Sequence, residues 1–403
     1  MAQHELAATD ASRGGPIMAR VPAPPPLGVD IGIEDPSGHA MDAFHAALRR
    51  AEAHRGRARV VVFGASHTAG DEYTGMLRER LQARFGDAGP GFVLPVKPFR
   101  GWNTRVARVR SGGSWRVLRG DRGAYGETVG LPLVAVESMS AGTWASIDTN
   151  GTSDVERRSV GSYEVWYLRQ PGGGRFEVRI DGRAAAVVDT DASQERAGAA
   201  RFRVRDGAHR IGIRALDPQP VRVFGVRMER DRSGVVLDSL GIPGSRARAH
   251  LRVDDSIYRD QLRRRHPDLV VLAYGTNESE DVDVPLWRYE ADLRRVVHRV
   301  RRTVRGASCL LVGPSDRPLE REDGTWGPRP LTAQVIEVQR RVAASEGCGF
   351  FDMVEFMGGE GSMPAWVAHQ PPYGRQDRVH LTWHGHRRLA DALERALLAG
   401  YER

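Results

Sequence analysis

Lysine is nearly missing from this chain. Lys97 is the only one among 59 Lys and Arg residues, so the formal net charge of +8 is carried by arginine. The arginines are scattered and mostly sit beside acids, as in Arg78-Glu79-Arg80. Long basic runs with interleaved aromatics, the footprint of a nucleic-acid surface, are absent. Cysteine is almost as scarce. Cys309 and Cys348 each lie in a short apolar run without metal-site spacing; they read first as buried free thiols and second as one disulfide. No apolar stretch approaches the length of a membrane-spanning helix, and the N-terminus has no apolar signal core. No repeat recurs at a solenoid period. These absences argue against a nucleic-acid binder, a metal-centred protein, a membrane span and a repeat array.

What is present suits a folded protein of two or three domains: 403 residues, 40% hydrophobic and 27% charged. The texture changes along the chain. Residues 1–35, rich in Ala, Gly and Pro, read as a flexible leader. Residues 36–99 hold a helix with Met41, Phe44, Ala47 and Leu48 on one face, then an apolar strand running into Gly64-Ala65-Ser66. An amphipathic helix follows through Met76, Leu77, Leu81 and Phe85 to Gly86. Residues 100–235 are short alternating runs broken by turns such as Asp181-Gly182, the pattern of a β-sandwich. Residues 236–403 return to strands alternating with helices. The expected fold is therefore α/β, a parallel sheet covered on both faces and interrupted by an all-β jelly-roll or sandwich domain.

Chemistry in such sheets gathers at the carboxyl ends of the strands. Ser66 lies at one such end, at the mouth of a helix where N–H groups converge. On its own it reads first as a helix cap and second as a nucleophile. A nucleophilic serine also needs a base and an acid to orient that base. Asp377 and His380, three apart on a turn, supply both from one loop, with His384 and His386 as competitors expected to be solvated or locally paired. Asn277, ending the strand Leu269–Ala273 after Tyr274-Gly275-Thr276, offers a fixed neutral donor for an oxyanion. The loop from Ser239 to Ser245 offers backbone N–H groups. His67, beside the serine, is open to substrate contact or to a structural hydrogen bond. Trp102, Trp115 and Trp166 read as core or as sugar-stacking rings, and Arg263-Arg264-Arg265 as a solvated helix face.

Four blocks in order resemble those of the SGNH (GDSL-type) hydrolases: Gly64-Ala65-Ser66, the glycine loop, Gly275-Thr276-Asn277-Glu278 and Asp377-x-x-His380. The chain departs from the family pattern at Ala65 and Glu278, where aspartate is usual. The likeness is greatest to peptidoglycan O-acetylesterases with an inserted module like a carbohydrate-binding domain, through Asp238-Ser239-Leu240-Gly241 and Glu164-Val165-Trp166-Tyr167-Leu168. The resemblance implies a flavodoxin-like three-layer core and a carboxylic ester hydrolase with no cofactor and no metal. It implies a triad of Ser66, Asp377 and His380, with Ser66, Gly244 and Asn277 forming the oxyanion hole and Gly241 as the alternative donor. The implied partner is an O-acetylated polysaccharide, peptidoglycan foremost, with no nucleic acid and no membrane span. Deacetylation of xylan or capsule, acetyl transfer, and glycan binding without catalysis stay open. The implied setting is periplasm, cell envelope or secretion, with the signal peptide outside this sequence; the cytoplasm stays open too.

Overall fold

The computed structural model describes residues 27–122, 127–151 and 158–401. Most of the expected leader, residues 1–26, lies outside them. From residue 27 the chain lies against the core: Val29 N–H donates to the Phe356 carbonyl, and Glu34 bridges antiparallel to Phe350.

The helices, in chain order, are α1 (Asp42–Glu52), α2 (Ser66–Ala69), α3 (Glu72–Phe85), α4 (Asp255–Arg265), α5 (Leu286–Thr303), α6 (Pro330–Glu346), α7 (Met353–Met357), α8 (Met363–Ala368) and α9 (Trp383–Leu398). Strand β1 (Arg57–Gly64) opens the core. Strand β2 (Gly91–Val93) precedes the insert and joins its sheet; the insert then runs through β3 (Arg108–Gly112), β4 (Arg116–Arg119), β5 (Val134–Ser138), β6 (Trp144–Asp148) and β7 (Val160–Arg169). It continues through β8 (Arg175–Ile180), β9 (Arg183–Asp189), β10 (Arg196–Gly207), β11 (Arg210–Ala215) and β12 (Val221–Glu229). The core resumes with β13 (Gly234–Gly241), β14 (Leu269–Ala273) and β15 (Ser308–Val312). A small hairpin, β16 (Leu319–Glu320) and β17 (Trp326–Gly327), precedes the last core strand, β18 (Gly349–Phe351).

The core sheet is parallel in the order β13-β1-β14-β15-β18. Counting core strands alone this is 2-1-3-4-5, the flavodoxin-like order, whose switch point falls between the first and third strands. Successive residues of a strand face opposite sides. Val61 and Phe63 of β1 accordingly pack with α4, α5 and α6, whereas Val60 and Val62 pack with α1, α3 and α9. Burial on both faces is why these strands read as unbroken apolar runs.

The insert is two antiparallel sheets, β10-β7-β12-β5-β4 with β2 added to β12, and β3-β6-β11-β8-β9. They pack face to face, with Tyr167 of β7 edge-on to Phe176 of β8 at 5.3 Å. Trp166 is fully buried against Phe92, and Trp102 is buried too, so both rings are core. Strand β9 is a mostly exposed edge strand.

Two sequence expectations are corrected. Cys309 and Cys348 are not free thiols; they form a disulfide with Cα atoms 4.7 Å apart. Strands β15 and β18 pair in a register that places the two cysteines side by side, just ahead of Leu310 and Gly349. Arg265 is not on a solvated face; its side chain is 1% exposed. It donates to Asp238 on β13 at 2.6 Å and to Glu229 on β12 at 2.8 Å, joining core to insert.

Candidate active site

Strand β1 ends at Gly64, where a Cβ would lie 2.2 Å from Thr68 Oγ1 and 3.0 Å from the Ala273 carbonyl. Only glycine lets the chain turn this tightly. Ser66 follows as the first residue of α2, where its N–H has no partner within the helix. Asp71, at φ 52°, then breaks the chain between α2 and α3. Its carboxylate accepts from Thr74, from Arg78 through two bonds and from the Arg105 N–H, which fixes the base of the serine turn.

The loop before α9 closes on itself. Arg375 N–H donates to the His380 carbonyl at 2.8 Å, and Gly374 bridges to Leu381. Within it Asp377 Oδ1 accepts from the N–H groups of Val379 and His380, while Oδ2 lies 2.8 Å from His380 Nδ1. Partial burial alone would raise the Asp377 carboxyl. Those two N–H donors and the His380 ring outweigh it and hold the group at about 2. His380 Nε2 lies 3.0 Å from Ser66 Oγ. The structure thus brings Ser66, His380 and Asp377 into one hydrogen-bonded line at the carboxyl edge of the sheet. This arrangement suits proton transfer from the hydroxyl to an imidazole whose tautomer is fixed by a carboxylate.

His67 points its Nε2 at the Val379 carbonyl, 3.1 Å away, so it braces the loop that carries Asp377 and His380. Burial, then the nearby His380, lowers its imidazole to about 4. His386, expected to be solvated or locally paired, is instead buried, stacked on Tyr73 with its ring 5.9 Å from that of His67. Burial pushes it well below the usual histidine range. Neither takes the place of His380 beside the serine.

On the other side of Ser66, Asn277 lies beyond β14, and β1 and β14 flank the switch point. One of its amide N–H groups donates to the Ser245 carbonyl at 2.9 Å, tying it to the glycine loop. That loop is anchored by the Ile242 N–H on the Gly64 carbonyl. Gly241 packs directly on α2, where a Cβ would meet Ala69 N at 2.3 Å. Gly244 instead needs its glycine for a φ of +79°. Arg119 of the insert donates to the Pro243 carbonyl.

Glu278 was read only as a departure from the usual aspartate. Its buried carboxylate accepts from the Ala247 N–H at 2.8 Å and from the Gly275 N–H at 2.9 Å, clamping the glycine loop to the asparagine loop. The longer side chain spans both loops, and nothing in the local sequence announces its second partner. A further contact also lay beyond sequence reading: Trp326 on the β16–β17 hairpin lies under the Arg378 guanidinium at 4.3 Å.

The sequence profile of the GDSL-like lipase/acylhydrolase family matches residues 212–388. A solved structure described as a peptidoglycan O-acetylesterase in action is similar over 92% of this chain and 99% of its own, with TM-score 0.73 and 22% identity. The chain thus shares the fold of that structure, and its second core part matches the GDSL-like lipase/acylhydrolase family. The profile match includes the glycine loop, Asn277 and His380 but not Ser66, which lies before the insert. Looser likenesses extend to a family two carbohydrate esterase from Cellvibrio japonicus, at 12% identity over 73% of this chain and 98% of its own, TM-score 0.31. A family two esterase from Clostridium thermocellum gives 10% identity over 70% of this chain and 98% of its own, again at 0.31. Scores that low carry no weight for this chain. No curated protein matches it.

Proposed function

We propose that this chain removes O-acetyl groups from a glycan, peptidoglycan foremost, through an acetyl-serine intermediate. The line from Asp377 through His380 to Ser66, at 2.8 and 3.0 Å, carries the reading. His380 Nε2 takes the hydroxyl proton as Ser66 Oγ attacks the acetyl carbonyl carbon. The resulting oxyanion is received by the N–H groups of Ser66 and Gly244 and by the Asn277 amide. Collapse breaks the ester bond, and the departing glycan oxygen takes the proton from His380. Water, deprotonated by His380, then attacks the acetyl group and frees acetate. Asp377 holds the imidazole in the required tautomer and steadies the imidazolium.

Peptidoglycan is favoured by the similar structure that carries that name and by the insert at residues 100–235, proposed here as a glycan-binding module. Arg119 brings that insert to the glycine loop. The Cys309–Cys348 disulfide favours an oxidising setting such as the periplasm, cell envelope or exterior. The test is acetate release from O-acetylated peptidoglycan and from acetylated xylan, run beside Ser66→Ala. Release from peptidoglycan by the native enzyme alone is expected. Equal release by Ser66→Ala would remove the serine mechanism, and release from xylan alone would replace the polymer.

A further inference from the structure

A second surface lies at the opposite end of the core from Ser66. Arg57 opens β1 and Gly64 closes it, so the two ends are about 23 Å apart at the rise of an extended strand. At the Arg57 end, the insert and core enclose a groove of about 410 Å³, within the range of small-molecule sites. Five arginines line it, Arg57, Arg201, Arg203, Arg227 and Arg232, against only two acids, Asp206 and Asp231.

The placement follows from the sheet. Arg201 and Arg203 alternate with the less exposed Phe202 and Val204 along β10, so both stand on one face, about 6.7 Å apart along the strand. Arg227 reaches the groove from β12, Arg57 from β1, and Arg232 from the turn that leads into β13. Buried Glu229 and Glu164 hold Arg57, Arg227 and Arg201 in place. Arg203 has no ion-pair partner among the described residues, and Arg232 has only a 3.3 Å contact to Asp206. Edge strands often carry charge merely to block pairing. That accounts for β10 but not for three further arginines converging from other elements.

We infer that this groove binds an anionic polymer bearing repeated carboxylate or phosphate groups, and so holds the enzyme to such a polymer at a point remote from Ser66. Guanidinium forks suit both anions and form charge-assisted bonds with them. The inference is independent of the ester chemistry, because its readout is binding.

The experiment measures binding of the full chain to sodium polygalacturonate, to inorganic polyphosphate and to neutral dextran. It compares native protein with Arg203→Glu/Arg232→Glu and with the control Arg108→Glu/Arg183→Glu. The control reverses the same charge on edge strands of the other sheet, at exposed arginines. Salt-sensitive binding to one or both polyanions is expected, weakened about tenfold or more in the groove variant and little changed in the control. Polygalacturonate alone would name carboxylates as the ligand, and polyphosphate alone would name phosphates. Equal loss in both variants, equal binding to dextran, or no binding by native protein would overturn the proposal. Hydrolysis of an aryl acetate, unchanged in both variants, verifies that each is folded; if the groove variant does not fold, Arg203→Gln takes its place with the same expected direction.

Discussion

The loops around Ser66 and the junction between core and insert are both rich in charged groups, yet they are held in opposite ways. Around Ser66, Asp377 and His380 are half-exposed, and backbone N–H groups fix their geometry. At the junction, Arg265, Asp238 and Glu229 are withdrawn from solvent and fix one another. The first arrangement leaves its charges free to react with something arriving from outside. The second consumes the charges of Arg265, Asp238 and Glu229 internally. Charge density alone therefore does not mark a site; what matters is whether the partners are supplied by the fold or awaited from solution.

The sharpest way to break this contrast is to remove the hydroxyl of Ser66. Ser66→Ala should lower aryl acetate turnover by about ten-thousandfold or more, with the thermal midpoint unchanged. A lowered midpoint with activity retained would place Ser66 among the structural residues. The reciprocal change is Arg265→Met. It leaves Asp238 buried without its cation and takes one of several arginines from Glu229, a loss of about 3–5 kcal/mol of stability. Turnover per folded molecule should be nearly native, as measured at a temperature where the variant is still folded. If activity falls and denaturant stability does not, the junction is coupled to the chemistry and the contrast fails. A smaller effect is expected at Asn277. Asn277→Ala should reduce kcat by about a hundredfold, because one preorganised donor to the oxyanion is lost. An unchanged kcat would leave Asn277 with only its bond to the Ser245 carbonyl.

The same contrast explains what could be read from the chain. The meeting of Ser66 with Asp377-x-x-His380 was legible because the proposed chemistry asks for particular residue types near a strand end or in a short loop. The parallel core was legible from runs such as Leu269–Ala273, whose burial on both faces leaves a local trace. Arg265 was not, since an arginine run looks the same whether it meets water or two carboxylates brought from 27 and 36 residues away. The disulfide was hidden likewise, because it depends on the register between β15 and β18. His386 was misplaced because burial against Tyr73 is set by how α9 sits on α3, not by its neighbours in sequence. What local chemistry demands is written locally; what packing demands is distributed.

The two regions should also fail at different pH values. His67 titrates at about 4 in the folded protein, below its usual 6.5, and His386 is lowered as well. Between those values the unfolded chain binds protons that the folded site refuses. Stability from these histidines is therefore complete above pH 6.5 and is lost as pH falls toward 4. Glu229 titrates at about 2, below its usual 4.5, because Arg265, Arg227 and Arg59 outweigh the effect of burial. Its contribution is complete above pH 4.5 and is lost as pH falls toward 2, by up to about 3 kcal/mol. Denaturant stability measured from pH 8 to 2 should fall in two stages, the site's histidines first and then the junction's Glu229 together with Asp377. Glu229→Gln should flatten part of the lower stage alone, and His67→Gln part of the upper one alone. A single stage, removed by Glu229→Gln alone, would mean that the histidines beside the serine stay solvated in the folded protein and that their burial does not define the site.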